Sequence, residues 1–211
     1  MTATTPIARS KSAALARVLD VLPKGYTRWT AGSVKPEKAI ALANKFHRLY
    51  GIGLSPAKRL TRKKHGLANV VLVMYWPQEA TVVHWLLLAT DGSGVEAENW
   101  RLAQDKPRLL WLDYELVRHP ARGQSAWTWR RTKLAMAESF ALLEDHLKRR
   151  HHAAAQAFME LLSHQPGFHG IREQSCKLFD CARRMGYAGE YPHLFYMQKV
   201  SHGEKLALSD A

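Results

Sequence analysis

Hydrophobic positions along the chain fall into two periods, one helical and one strand-like. Ala14, Leu15, Val18, Leu19 and Leu22 recur at helical spacing and predict a short amphipathic helix from about Ser12 to Leu22, stopped by Pro23-Lys24-Gly25. A second helix starts at Pro36, where a missing N–H costs nothing in the first turn. It turns Ile40, Ala43, Phe46 and Tyr50 inward and ends at Gly51 and Gly53. Ser55-Pro56 opens a third, short and basic helix that Gly66 closes. From Ala68 the period shortens. Asn69 to Trp76 and Thr81 to Thr90 are rich in β-branched and aromatic residues, so they read as a hairpin buried on both faces.

Asp91-Gly92-Ser93-Gly94 then makes a turn, and Val95 to Gln104 a short helix. Arg108 to Arg118 and Ser125 to Arg131 supply two further strands, linked by an exposed loop over His119 to Gln124. Thr132 to His164 is the longest helical run, about 50 Å if unbroken at the rise of an α-helix. Pro166-Gly167 ends it, and Gly170 to Met185 forms a last helix capped by Gly186. Helices, strands, then helices predict an α+β fold: a small, mainly antiparallel four-stranded sheet with N-terminal helices and a long C-terminal helical region. The expected organisation is a single domain, with a flexible lead over 1–12, helices over 13–66, the sheet over 67–131 and the helical region over 132–206.

Composition narrows the class. With 211 residues, 46% hydrophobic and 23% charged, the chain can bury a full core and is not generally disordered. Apolar stretches stop at about ten residues, short of a membrane span, so no membrane insertion is expected. Met1 to Ser12 is polar and lacks the apolar centre of a secretion signal. Only Cys176 and Cys181 are present, which removes a disulfide framework and a four-cysteine zinc site; a cytoplasmic location fits best.

Charge changes the picture most. Lys plus Arg number 31 against 18 Asp plus Glu, a formal charge of +13. No acid falls between Glu37 and Glu79, a window that holds Lys58, Arg59, Arg62, Lys63 and Lys64 on one helix. A second acid-free window, Leu116 to Ala137, holds Arg118, Arg122, Arg130 and Arg131, and a third block is Lys148-Arg149-Arg150-His151-His152. Like charges repel, so clusters of this kind fit a polyanion, whose counterions are released on binding. An acidic protein surface and plainly solvated helix faces are the other readings. Trp127 and Trp129 alternate along one strand face, either as core or as a stacking platform for bases.

Asp113 and Glu115, two apart on the third strand, share a face and are the candidate catalytic pair. Two carboxylates near Arg can hold a divalent cation such as Mg²⁺ for phosphodiester hydrolysis, and a solvated acidic edge explains them too. No Glu-x-Lys follows on the next strand. Eleven histidines show no ligand spacing with the cysteines, so no metal site is assigned. His84 lies in an apolar strand, and His169 stands just ahead of a helix where an anion can meet free N–H groups.

The segments LANVVLVMYWP, HWLLLAT, YELVRHPARG with AWTWRR, and PGFHGIREQSCKLFDCARRMGY resemble proteins of conjugative broad-host-range plasmids. The group is the fertility-inhibition proteins of the Osa and FiwA kind, and the resemblance spans most of Gly25 to Leu206. It implies a cytoplasmic protein of a mobile element that blocks export of competing DNA through a type IV secretion channel. For the Osa group it also implies a ParB/sulfiredoxin-like fold with nucleotide hydrolysis and DNA cleavage. Gly25-Tyr26-Thr27-Arg28 carries the letters of that fold's Gly-x-x-Arg phosphate motif, but no catalytic residue is transferred on it. The expected function is therefore nucleic-acid binding by a fertility-inhibition factor, with nuclease or ATPase chemistry as an added expectation. The other class is a non-enzymatic protein that docks on an acidic surface of a secretion coupling component, or an accessory DNA- or RNA-binding protein.

Overall fold

The computed structural model describes residues 3–121, 124–197 and 204–209. The chain forms two compact units, one from Met1–Pro107 with Val200–Ala211, the other from Arg108–Lys199.

The first unit is built on the hairpin of β3 (Val70–Tyr75) and β4 (Val83–Ala89), paired antiparallel from Val70↔Ala89 to Tyr75↔His84. Both strands are apolar on both faces, so each face must be covered. Helix α1 (Lys11–Val21) packs on β3, and helix α2 (Pro36–Tyr50) covers the face that carries Leu72, Met74 and Leu87. Ser10 caps α1 by accepting from the Ala13 N–H, and α2 begins at Pro36 and ends at Gly51 in the left-handed conformation. Ile40, expected inside, is 48% exposed, and Ala39 takes the buried position beside Ala43, Phe46 and Tyr50. Helix α3 (Pro56–Lys64) buries no side chain fully.

The expected four-stranded antiparallel sheet is corrected by this architecture. The first unit holds a six-stranded mixed sheet in the order β5 (Arg101–Leu102), β2 (Arg28–Val34), β4, β3, β1 (Thr4–Ala8), β9 (Glu204–Ala207), and the second holds a separate three-stranded sheet in the order β6 (Leu110–Trp111), β7 (Tyr114–Ala121), β8 (Gln124–Arg131). Residues expected as a flexible lead form β1 (Thr4–Ala8), which pairs parallel to β3 and antiparallel to β9 (Glu204–Ala207). β2 (Arg28–Val34) lies between β4 and the two-residue β5 (Arg101–Leu102), which falls where a helix was expected. Gly32 sits opposite Trp85, and a Cβ there would lie 2.6 Å from the indole. Its absence lets Trp85 lie over β2 and reach Phe46, with ring centroids 5.3 Å apart.

In the second unit, β6 (Leu110–Trp111) and β7 (Tyr114–Ala121) replace the single strand expected over Arg108 to Arg118. Leu112 and Asp113, with φ of 51° and 73°, make the two-residue turn between them. β8 (Gln124–Arg131) pairs with β7 along its length. The long C-terminal helical region is also corrected. Thr132 caps α4 (Lys133–Lys148), Arg150 breaks the run at φ 59°, and α5 (His152–Ser163) and α6 (His169–Arg184) follow. No helix follows α6 among the described residues; the chain next contributes β9 to the first unit's sheet. The helices pack through Leu143, Ala155, Met159, Leu178 and Ala182.

Gly170 fixes how α6 meets β8. Its N–H donates to Thr128 Oγ1 at 3.1 Å, and a Cβ would fall 2.6 Å from the Trp129 carbonyl oxygen. Gly170→Ala is expected to destabilise the second unit by about 1–3 kcal/mol, the usual cost of forcing a core apart. Urea denaturation followed by tryptophan fluorescence checks this.

Candidate nucleic-acid interface

Helix α3 displays the basic cluster. The Ser55 hydroxyl accepts from the Lys58 N–H and Pro56 takes the first turn, so the helix starts where the local sequence says it should. Its cations divide into two sets. Arg59 donates to the Ile52 carbonyl at 3.0 Å, and Arg62 donates twice to the Ala68 carbonyl, at 3.3 and 3.0 Å. These two arginines tie the helix down. Lys58, Lys63 and Lys64 are exposed and face solvent along a helix with no acid in it.

One flank of α3 borders a cleft of about 720 Å³. Lys24, Arg59 and Lys63 bring three cations to its lining, Tyr26 an aromatic ring, and Asn69 a buried amide. Gly25, at φ 91°, turns the chain at its lip. Asp91 is the single acid in the lining, and Arg28 engages it at 3.0 Å. Arg28 of the Gly25-Tyr26-Thr27-Arg28 stretch is thus held in an ion pair. Two polar atoms in the lining residues, Arg59 Nε and Asn69 Oδ1, are buried without a hydrogen-bond partner.

The cations expected on the third and fourth strands have different surroundings. The Arg118 guanidinium lies 4.6 Å from the centroid of the Trp127 ring. Arg130 pairs with Glu115 at 2.9 Å, and Arg108 approaches the same carboxylate at 3.6 Å. Arg131 is 4% exposed. Its guanidinium donates to Gln165 Oε1, Ser175 Oγ and the Ile171 carbonyl, and burial pushes its pKa down to about 10. Arg122 lies outside the described residues. Trp129 is fully buried, whereas Trp127 is only partly so. In the third block, Lys148 and Arg149 pair with Glu144 and Asp145 one turn back.

Asp113 and Glu115 do not share a strand face. Asp113 stands in the β6–β7 turn, and Glu115, on β7, is occupied by two arginines. The positive φ at Leu112 and Asp113 breaks the alternation on which the pairing rested. Of the residues opposite α3, Lys24, Asn69 and Thr90 carry no sequence signal of a site beyond the helix stop at Pro23-Lys24-Gly25, while Gly25 and Tyr26 fall within the Gly-x-x-Arg letters. Among the described residues, no helix is long and apolar enough to cross a membrane. Comparison with protein-family models, curated proteins and solved structures finds no match.

The two kinds of arginine give different mutational outcomes. Arg131→Met leaves its carbonyl, amide and hydroxyl partners without a donor and is expected to cost about 1–3 kcal/mol. Nucleic-acid affinity, measured below the unfolding transition, should stay within about twofold of the parent, because a buried guanidinium reaches no phosphate. Thermal denaturation and a binding titration on the same preparation check both parts.

Proposed function

We propose that this chain is a basic nucleic-acid-binding protein and that the exposed lysines of α3 meet the phosphate backbone. The observation that carries the reading is the group of exposed lysines on α3, Lys58, Lys63 and Lys64, with Lys63 lining a cleft that Lys24 and Arg59 also line. Such a group of cations, with one acid that is already paired, favours a ligand of repeating negative charge. On the resemblance of its segments to fertility-inhibition proteins, the biological role we assign is interference with conjugative export of competing DNA. Cleavage through Asp113 and Glu115 is not part of the proposal, because Glu115 is committed to Arg108 and Arg130.

Electrophoretic mobility shift over a range of salt concentrations, on single- and double-stranded DNA and on RNA, tests the reading. Affinity should fall by orders of magnitude between low and moderate salt. Replacing Lys58, Lys63 and Lys64 together by Ala should make the slope of log affinity against log salt shallower by about two to three, at roughly 0.7–0.9 for each phosphate no longer neutralised. Lys148→Ala, which removes a residue already paired with Glu144, should leave the slope unchanged. A flat salt dependence, or a slope that the triple variant does not alter, overturns the proposal. Salt-sensitive binding to an acidic coupling protein without binding to any nucleic acid favours the docking reading instead.

A further inference from the structure

Outside the basic face, the second unit gathers three side chains, one of them about fifty residues from the other two in the sequence. His119 projects from β7, and His169 and Glu173 stand one turn apart at the start of α6. Each offers one ligand atom, and these atoms all lie within 4.8 Å of one another. The two imidazole centroids are 4.0 Å apart, and His119 Nδ1 stands 3.8 Å from Glu173 Oε2. Ligands about 2.0–2.1 Å from a tetrahedral zinc ion are about 3.4 Å from each other, so modest rotamer adjustment closes the set around one ion.

Three features show why the arrangement is held. Positions i and i+4 of a helix share a face, which aligns His169 with Glu173. Gly170, between them, sits against the Trp129 carbonyl, so the first turn of α6 cannot drift from the β7–β8 hairpin that carries His119. The Glu173 carboxylate is divided: Lys177 binds Oε1 at 2.8 Å, and Oε2 is the oxygen that faces His119. An outer partner on one oxygen orients a carboxylate that ligates through the other.

We infer that His119, His169 and Glu173 form a binding site for a divalent transition-metal ion such as Zn²⁺. Two imidazoles and one carboxylate suit zinc, cobalt or nickel, whereas magnesium and calcium favour all-oxygen sets. Three protein ligands leave one coordination position for water or a ligand group, the arrangement of zinc sites that are open rather than purely structural. The site is independent of the proposed nucleic-acid face and uses neither Asp113 nor Glu115.

The test is titration of the full, chelator-stripped chain with Co²⁺, read by its visible absorption, and with Zn²⁺ by calorimetry. One equivalent is expected to bind, Zn²⁺ should displace Co²⁺, and excess Mg²⁺ should not. His169→Ala and Glu173→Gln should each weaken binding by about a hundredfold, and His164→Ala, at an exposed histidine outside the set, should leave it unchanged. His169 is exposed, so its variant tests the site even if a His119 variant fails to fold. Circular dichroism on each variant confirms the fold. No stoichiometric binding to the parent, equal binding by the His169 and Glu173 variants, or displacement by Mg²⁺ overturns the inference.

Discussion

Two neighbouring strands that are apolar on both faces, β3 and β4, dictate most of the first unit. Neither face can meet water, so one must be roofed by α1 and the other by α2. Their outer edges must also be satisfied, because each unpaired backbone N–H or C=O would be buried at a cost. β2 closes one edge and β1 the other. The small residue Gly32 follows from the same demand, since the Trp85 ring that seals the α2 side needs the space a side chain would fill.

How much of this is legible in the sequence depends on whether the signal is local. Pro36, Gly51, Ser55 and Gly66 punctuate α2 and α3 through their own backbone preferences, and those helices fall where the sequence places them. The β3–β4 hairpin is legible for the same reason. β1 is not: Thr4 to Ala8 is short and carries a proline, and it becomes a strand only because β3 and β9 supply partners from far along the chain. The Leu112-Asp113 turn and the break at Arg150 place non-glycine residues at positive φ, where no glycine or proline announces them. The shared strand face expected of Asp113 and Glu115 is lost at that turn. His119 and His169 meet only once β7 and α6 are assembled, and the sole local trace is the four-residue spacing of His169 and Glu173.

A large positive charge says little about which cations are available to a ligand. Arg131 is engaged inside the second unit by an amide, a hydroxyl and a carbonyl, while Arg108 and Arg130 surround one glutamate. Arg59 and Arg62 hold loops to α3 through carbonyl oxygens. Arginine's planar fork suits such fixed work, and the lysines of α3, with flexible stems and compact charges, are the ones left at the surface.

The pairing of β1 with β9 carries a consequence for biosynthesis. Thr4 finds its ladder partner Ala207 only after the whole of the second unit has been translated. Until then the nascent sheet presents an unguarded strand to other chains emerging nearby. The order of synthesis therefore obliges the inserted unit to leave the ribosome before the first sheet is sealed, and any slow step in the insert prolongs the interval in which chaperones must shield that margin.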